Sequence, residues 1–190
     1  MVALALTTPS RRAVAGARAK RRGDDAEAIV ERLHDSWGFR TRNPGAHLTR
    51  RHARTIVVSG KARNIGTQGP DFGGGAPAAL WGRIGRAEWV EVEVKAVDPD
   101  VMRRLPFDRF TDAEVETLSA CAKAGGVAIV LVLYGPLVAP RWCAVPWSCL
   151  EERVRDWRCR VVDAPASIVE SDLLAHACPP LEYLRTGGRW

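Results

Sequence analysis

The stretch Val127–Tyr134, VAIVLVLY, carries no polar side chain until its last residue. A run this short and this rich in β-branched residues is expected to be a strand buried on both faces rather than a helix. Such a strand needs a covering layer on each side, and the residues before it supply one. Thr111 opens a helical pattern with Glu114 three positions on, the spacing of a reciprocal capping box. Val115, Leu118 and Ala122 then share a face, and Gly125-Gly126 stops the helix. A capped helix feeding directly into a buried strand points to an α/β sandwich.

A second strand is expected over Glu88–Val97, EWVEVEVKAV. Val90, Val92, Val94 and Ala96 fall on one face; Glu91, Glu93 and Lys95 fall on the other. Upstream, Asp71 follows a proline and precedes Gly73-Gly74-Gly75. If the two strands are neighbours, Asp71, Glu93 and Lys95 converge. Two ionised carboxylates about 4 Å apart repel by roughly 4 kcal/mol at an effective dielectric near 20, so such a pair needs a compensating positive charge. A divalent cation provides it, and Mg²⁺ favours hard carboxylate oxygens. The lysine beside them suits stabilisation of charge on a phosphoryl oxygen. The plainer reading of the same alternation is a solvated strand face on which Glu93 and Lys95 are merely opposite charges, with Glu91 an exposed acid.

Other elements follow from local pattern. Ala26, Ile29, Val30, Leu33 and Trp37 form a helical stripe between Asp24 and Gly38, with Glu27 at its margin. Phe39–Leu48 reads as a short extended piece and a turn, Thr55–Ser59 as a strand, and Gly73–Gly75 as a flexible turn or a phosphate-approaching backbone. A loop follows Val97. Arg141–Trp147 is expected to be a strand near a sheet edge because Pro146 cannot donate to a ladder. Ser148-x-x-Glu151 suggests a second capping box, Cys159–Val162 a small strand and Ser171–Ala177 a short helix.

The chain of 190 residues carries a net charge of +6, which favours a polyanionic partner. Arginine dominates the basic residues near the proposed site and suits bidentate phosphate contact. The candidates for DNA contact are Arg21 and Arg22 in the basic N-terminal arm, Arg40, Arg42, Arg50, Arg51, Arg54, Lys61 and Arg63 along a groove rim, and Arg83 and Arg86 before the Glu-x-Lys strand. Five cysteines with no Cys-x-x-Cys argue against a zinc site or a disulfide framework and for a reducing compartment. No apolar run reaches the length of a membrane span, and the opening residues lack the pattern of a secretory leader.

Taken in order, a helix with Glu27, a strand, Asp71, a strand with Glu93-x-Lys95, a helix and a buried strand resemble the PD-(D/E)xK nuclease superfamily. Within it the chain looks most like Holliday-junction resolvases, RecU-like and archaeal-type. RRGDDAEAIVERLHDSWGFRTRNPG is similar to their opening, GPDFGGG to their Asp motif, EVEVKAV to their Glu-x-Lys strand, and LPFDRFTDAEVETLSACAKAGGVAIVLVLYG to the helix and strand that follow. The resemblance covers about residues 20–150. It implies a restriction-endonuclease-like α/β core, a central mixed sheet flanked by helices. It also implies metal-site acids Glu27, Asp71 and Glu93, a catalytic Lys95, Mg²⁺ or Mn²⁺ as cofactor, and a homodimer that makes paired nicks in a four-way DNA junction in the cytoplasm. Twenty-one residues separate Asp71 from Glu93, a long connection, and Glu114 stands where these families often carry Gln. The expected division is a flexible arm over 1–22, a nuclease domain over 23–165 and an extension over 166–190. Two other readings fit the same residues: a related nuclease acting on flaps, ends or restriction sites, and a DNA-binding module that does not cut.

Overall fold

The computed structural model describes residues 11–41, 47–51, 55–58, 61–64, 69–75, 89–97, 103–134 and 141–175. In chain order the elements are α1 (Arg11–Thr41), β1 (His47–Arg50), β2 (Thr55–Val58), β3 (Lys61–Asn64), β4 (Phe72–Gly75), β5 (Val90–Ala96), β6 (Arg104–Pro106), α2 (Asp112–Lys123), β7 (Val127–Tyr134), β8 (Arg141–Pro146), α3 (Glu151–Arg158), β9 (Ser167–Val169) and α4 (Glu170–Ala175). Five strands form one mixed sheet in the order β1-β4-β5-β7-β8. Strands β5 and β7 run parallel, joined through α2, and the other pairings are antiparallel. Strands β2 and β3 form a separate hairpin, and β6 pairs with β9.

The period-2 alternation of β5 and β7 sorts their side chains onto two faces. On one, Val90, Val92 and Val94 join Ile129, Leu131 and Leu133, and Ala26 and Val30 of α1 pack against them. On the other, Ala128, Val130 and Val132 meet Val115, Leu118 and Cys121 of α2, with Val145, Trp147, Leu150 and Val154. All eight residues of β7 are buried, as a strand covered on both sides must be. The chain is thus an α/β protein whose mixed sheet is flanked by helices. Among the described residues no helix is long and apolar enough to cross a membrane.

The capping box forms as expected: Glu114 N–H donates to Thr111 Oγ1 at 3.2 Å and Thr111 N–H donates to a Glu114 carboxylate oxygen at 2.9 Å. Strand β8 lies at the end of the sheet order, where its terminal proline is tolerated.

Several local expectations are corrected. The arm was expected to run to residue 22 before a helix from Asp24, but α1 starts at Arg11, and residues 14–21 are exposed helix. The alanine-rich sequence there favours helix without a packing face. Gly73–Gly75 is neither turn nor open loop; it lies in β4, between β1 and β5. The loop after Val97 contains β6. The second capping box is absent: Pro146 leads into a 3₁₀ turn over Trp147–Cys149 that takes in Ser148, and the α3 N-cap is Leu150 with no side-chain bond. Cys159–Val162 is no strand, since Arg160 takes a positive φ of 56°. The boundary expected at 165 leaves out β9 and α4, whose Ile168 and Leu173 are buried in the α2-side core.

The end of α2 shows why the Gly pair is needed. Gly125, at φ +81°, donates its N–H to Ala122 O at 3.1 Å, and Gly126 N–H donates to Cys121 O at 2.9 Å. This is a complete Schellman motif. It turns the chain so that Val127 N–H reaches Trp89 O at 2.9 Å and β7 begins beside β5. A Cβ on Gly126 would stand 2.8 Å from that same Trp89 carbonyl and 2.7 Å from Cys121 Sγ. The carbonyl is fixed by the strand it serves and cannot retreat. Gly125→Ala is expected to cost about 1 kcal/mol through its left-handed φ, and Gly126→Ala about 2 kcal/mol or more through the backbone clash. Urea unfolding of both variants measures this; equal stability of Gly126→Ala and the parent would contradict the packing described.

Candidate functional site

Antiparallel pairing of β4 with β5, with Phe72 opposite Val92, brings Asp71 alongside Glu93. Two hydrogen bonds then tie Asp71 to β5. Asp71 N–H donates to Glu93 Oε2 at 3.1 Å, and Val94 N–H donates to Asp71 Oδ2 at 2.8 Å. The alternation of β5 turns Glu91, Glu93 and Lys95 toward α2, and the first turn of that helix lays Glu114 over them. Lys95 Nζ donates to Glu93 Oε1 and, at 3.1 Å, to Glu114 Oε2. It also lies 5.2 Å from the centre of the Phe110 ring, within cation–π range. The plainer reading of this strand as a solvated face is therefore overturned: Asp71, Glu93 and Glu114 are all buried, with Glu93 1% exposed.

Burial sets the electrostatics. The Asp71 carboxyl is pushed from the ordinary carboxylate range up to about 7, first by burial and then by the charge of Glu27; the Val94 N–H and the Lys95 ammonium work against the shift, and Glu114 adds to it. Glu93 is pushed up by burial, against the pull of Lys95, with Asp71 and Glu114 adding repulsion. Burial also disfavours charge on Lys95, but the charges of Glu93 and Glu114 more than offset it and hold the amine above its ordinary value. Three buried acids thus surround one largely buried ammonium, which bonds two of them.

Glu27 reaches this group only through its field. Its carboxylate is bonded to Arg50 Nη2 at 2.6 Å, while Arg50 Nη1 bonds Glu31 at 3.0 Å. Arg51 is likewise engaged: its Nη2 lies 2.6 Å from Glu91 Oε1, which also accepts from Trp89 Nε1 at 2.7 Å. The expectation of an exposed Glu91 is corrected, since it is fully buried and its other oxygen has no hydrogen-bond partner. Arg51 N–H donates to Asp71 O at 2.7 Å, so the same residue ties the edge strand to the site. A Cβ on Gly73 would collide with the Arg51 guanidinium, which is why a glycine lies beneath it. Neither Arg50 nor Arg51 is therefore a solvated cation awaiting a phosphate.

Of the other residues expected to touch DNA, Arg21 is exposed and Arg22 half-buried on α1. Arg42, Arg54, Arg83 and Arg86 lie outside the described residues, as do the side chains of Arg40 in α1 and of Lys61 and Arg63 in β3. Sequence reasoning left the membership of Glu114 open: the resemblance placed it where Gln is frequent, and the capping box fixes where the helix starts but not what lies beneath it.

Among the described residues no three Asp, Glu, His or Cys side chains are grouped to hold a metal ion. Asp71 and Glu93 meet, Glu93 and Glu114 meet through Lys95, and Glu27 is turned to Arg50. No protein-family model matches the chain, and no curated protein matches it.

The raised Asp71 pKa has a direction that can be measured. Folded protein holds this proton more tightly than the unfolded chain, so the contribution to stability is present at low pH and is lost as pH rises from about 4 through about 7. In EDTA, the parent should lose on the order of 2–4 kcal/mol of unfolding free energy across that window. Asp71→Asn, which keeps an acceptor for Val94 N–H, should flatten the slope. Urea titrations at pH 5 and pH 8 decide it; a parent equally stable at both has no such buried proton.

Proposed function

We propose that the chain is a Mg²⁺- or Mn²⁺-dependent DNA endonuclease on a PD-(D/E)xK core, acting on four-way junctions as a homodimer. The observation that carries this reading is the meeting of Asp71, Glu93 and Lys95, from two adjacent strands, in a buried cluster with more negative than positive charge. The donor chemistry fits a hard dication. Mg²⁺ is commonly held by one or two carboxylates, its other positions being filled by water and substrate phosphate, so Asp71 and Glu93 suffice as a pair. Burial raises both carboxyl pKa values and repulsion from neighbouring acids adds to it, against the pull of Lys95; a bound dication would favour the ionised forms. Glu27 would be a third holder once it leaves Arg50. When bound, the cation supplies Lewis-acid activation of water and neutralises charge on the phosphate.

The side chains have separable roles. Asp71 and Glu93 hold the cation and are themselves held by backbone N–H groups. Lys95 is kept protonated by two carboxylates, so it acts as a fixed positive charge and hydrogen-bond donor to the phosphate rather than as a proton acceptor. The exposed basic stretch of α1, including Arg18, Lys20 and Arg21, lies outside the sheet core and suits contact with phosphates, which makes binding salt-dependent. A twofold dimer matches two such sites to two strands of a junction.

Incubation of a synthetic four-way junction and a matched linear duplex with Mg²⁺ tests the reading. Paired nicks confined to the junction are expected, with Asp71→Asn, Glu93→Gln and Lys95→Met each lowering the rate by about a hundredfold or more and leaving junction binding in Ca²⁺ intact. Equal cutting of the linear duplex would assign a sibling nuclease activity. Binding with no cutting, and no difference between parent and Asp71→Asn, would reduce the chain to a DNA-binding module.

A further inference from the structure

The start of α2 is fastened to the end of β5 more firmly than helix capping requires. Arg109 Nη1 donates to Ala96 O at 2.8 Å, the Phe110 ring lies under the Lys95 ammonium, and Arg158 Nη1 donates to Phe110 O at 2.7 Å. The last of these contacts comes from α3, so three elements converge on one helical turn. At its centre one oxygen has two duties. Glu114 Oε2 accepts from Thr111 N–H at 2.9 Å, closing the capping box, and from Lys95 Nζ at 3.1 Å. The side chain is 5% exposed and lies in the first turn, where the helix field favours an anion.

We propose that Glu114 is a positioning residue for Lys95: the Thr111 backbone N–H holds its carboxylate so that it draws the ammonium to a single place beside Glu93 and Asp71. This rests on the nuclease reading above and adds to it a residue that touches neither metal nor phosphate. Lys95 has four rotatable side-chain bonds, and freezing them is costly unless the ammonium is held from more than one side. Glu93 alone would let it pivot on its own strand, two residues away. Glu114 supplies the second point, from a different element, and the backbone bond at Thr111 keeps Glu114 from following the lysine.

The two duties can be separated by substitution. Glu114→Gln retains a carbonyl oxygen for Thr111 N–H but removes the charge that attracts the ammonium. Thr111→Ala removes the hydroxyl half of the box and leaves the Lys95–Glu114 contact. If Glu114 positions Lys95, Glu114→Gln keeps the parent Tm while kcat on the junction falls about tenfold or more at unchanged KM; Thr111→Ala lowers Tm with kcat unchanged. The Lys95 ammonium resonance in ¹⁵N-labelled protein, read without DNA or metal, supplies a measurement independent of cutting. It should be sharp and slowly exchanging in the parent and in Thr111→Ala, and broadened in Glu114→Gln. A sharp Lys95 signal in Glu114→Gln, or an unchanged kcat, would overturn the positioning role. A parent that cuts no DNA, with the ammonium signal still lost in Glu114→Gln, would sink the nuclease reading and leave the Glu114–Lys95 coupling standing.

Discussion

One constraint governs the site: the α2-side face of β5 carries Glu91, Glu93 and Lys95 into the interior, where two acids and an amine cannot remain as they would in water. Taking an ion out of water costs several kcal/mol even after relaxation, and mutual attraction offsets this only with good geometry and further hydrogen bonds. The chain meets that condition pair by pair. Glu91 is matched to Arg51 and Trp89, Glu93 to Lys95 and the Asp71 N–H, and Glu114 to Lys95 and the Thr111 N–H. Two deficits remain: the second oxygen of Glu91 has no hydrogen-bond partner, and Asp71 has a single backbone donor against the burial that pushes its carboxyl up. A buried ion pair is weak support for stability, and apolar residues of similar volume would do as well or better.

The surrounding fold confines that charge to a strip one strand wide. On the same face, the neighbouring β7 presents Ala128, Val130 and Val132, all buried and apolar. Across the sheet, the partner face of β5 presents only valines and alanine to α1. The polar strip is therefore walled by hydrocarbon on the β7 side and below, and its polar neighbours Asp71, Arg50 and Arg51 lie on the β4 and β1 side. The hydrocarbon lowers the local dielectric, which strengthens every interaction within. The path of Arg51 explains one glycine of β4. A side chain at Gly73 would occupy the space in which Arg51 crosses from the edge strand to Glu91.

How much of this was legible depended on whether a signal was local. The eight apolar residues of β7, the Thr111–Glu114 box and the Gly125-Gly126 stop are local, and each formed as its chemistry requires. The adjacency of Asp71 and Glu93 was legible only as a condition, that β4 and β5 be neighbours, and the antiparallel pairing meets it. Strand alternation says which residues share a face but not whether that face meets water or a helix, so Glu91 was misplaced until α2 was seen to lie over it. Ser148 failed as a cap because Pro146 starts a 3₁₀ turn two residues too early, a competition between two local signals in which the fixed φ of proline prevailed. The continuation of α1 through residues 11–22 reflects alanine propensity, which the basic side chains of the same stretch do not override.

The arginines carry the remaining step. Counted from sequence, Arg50 and Arg51 are free positive charges beside a proposed nuclease centre; in the fold each is already bound to an acid, Arg50 to Glu27 and Glu31, Arg51 to Glu91. The two pairs differ in a way that matters. Glu91 is fully buried and bonded also to Trp89, so Arg51 cannot leave without stranding a carboxylate in the interior, and it serves as a strut that carries the Asp71 carbonyl on its own N–H. The Arg50 side chain and both its partners are partly exposed, and water can take the place of either ion. The ion pairs of Arg50 are therefore more easily broken than that of Arg51. Of the two arginines, only Arg50 can give up its acid, and the acid it would give up is the one whose field already reaches Asp71.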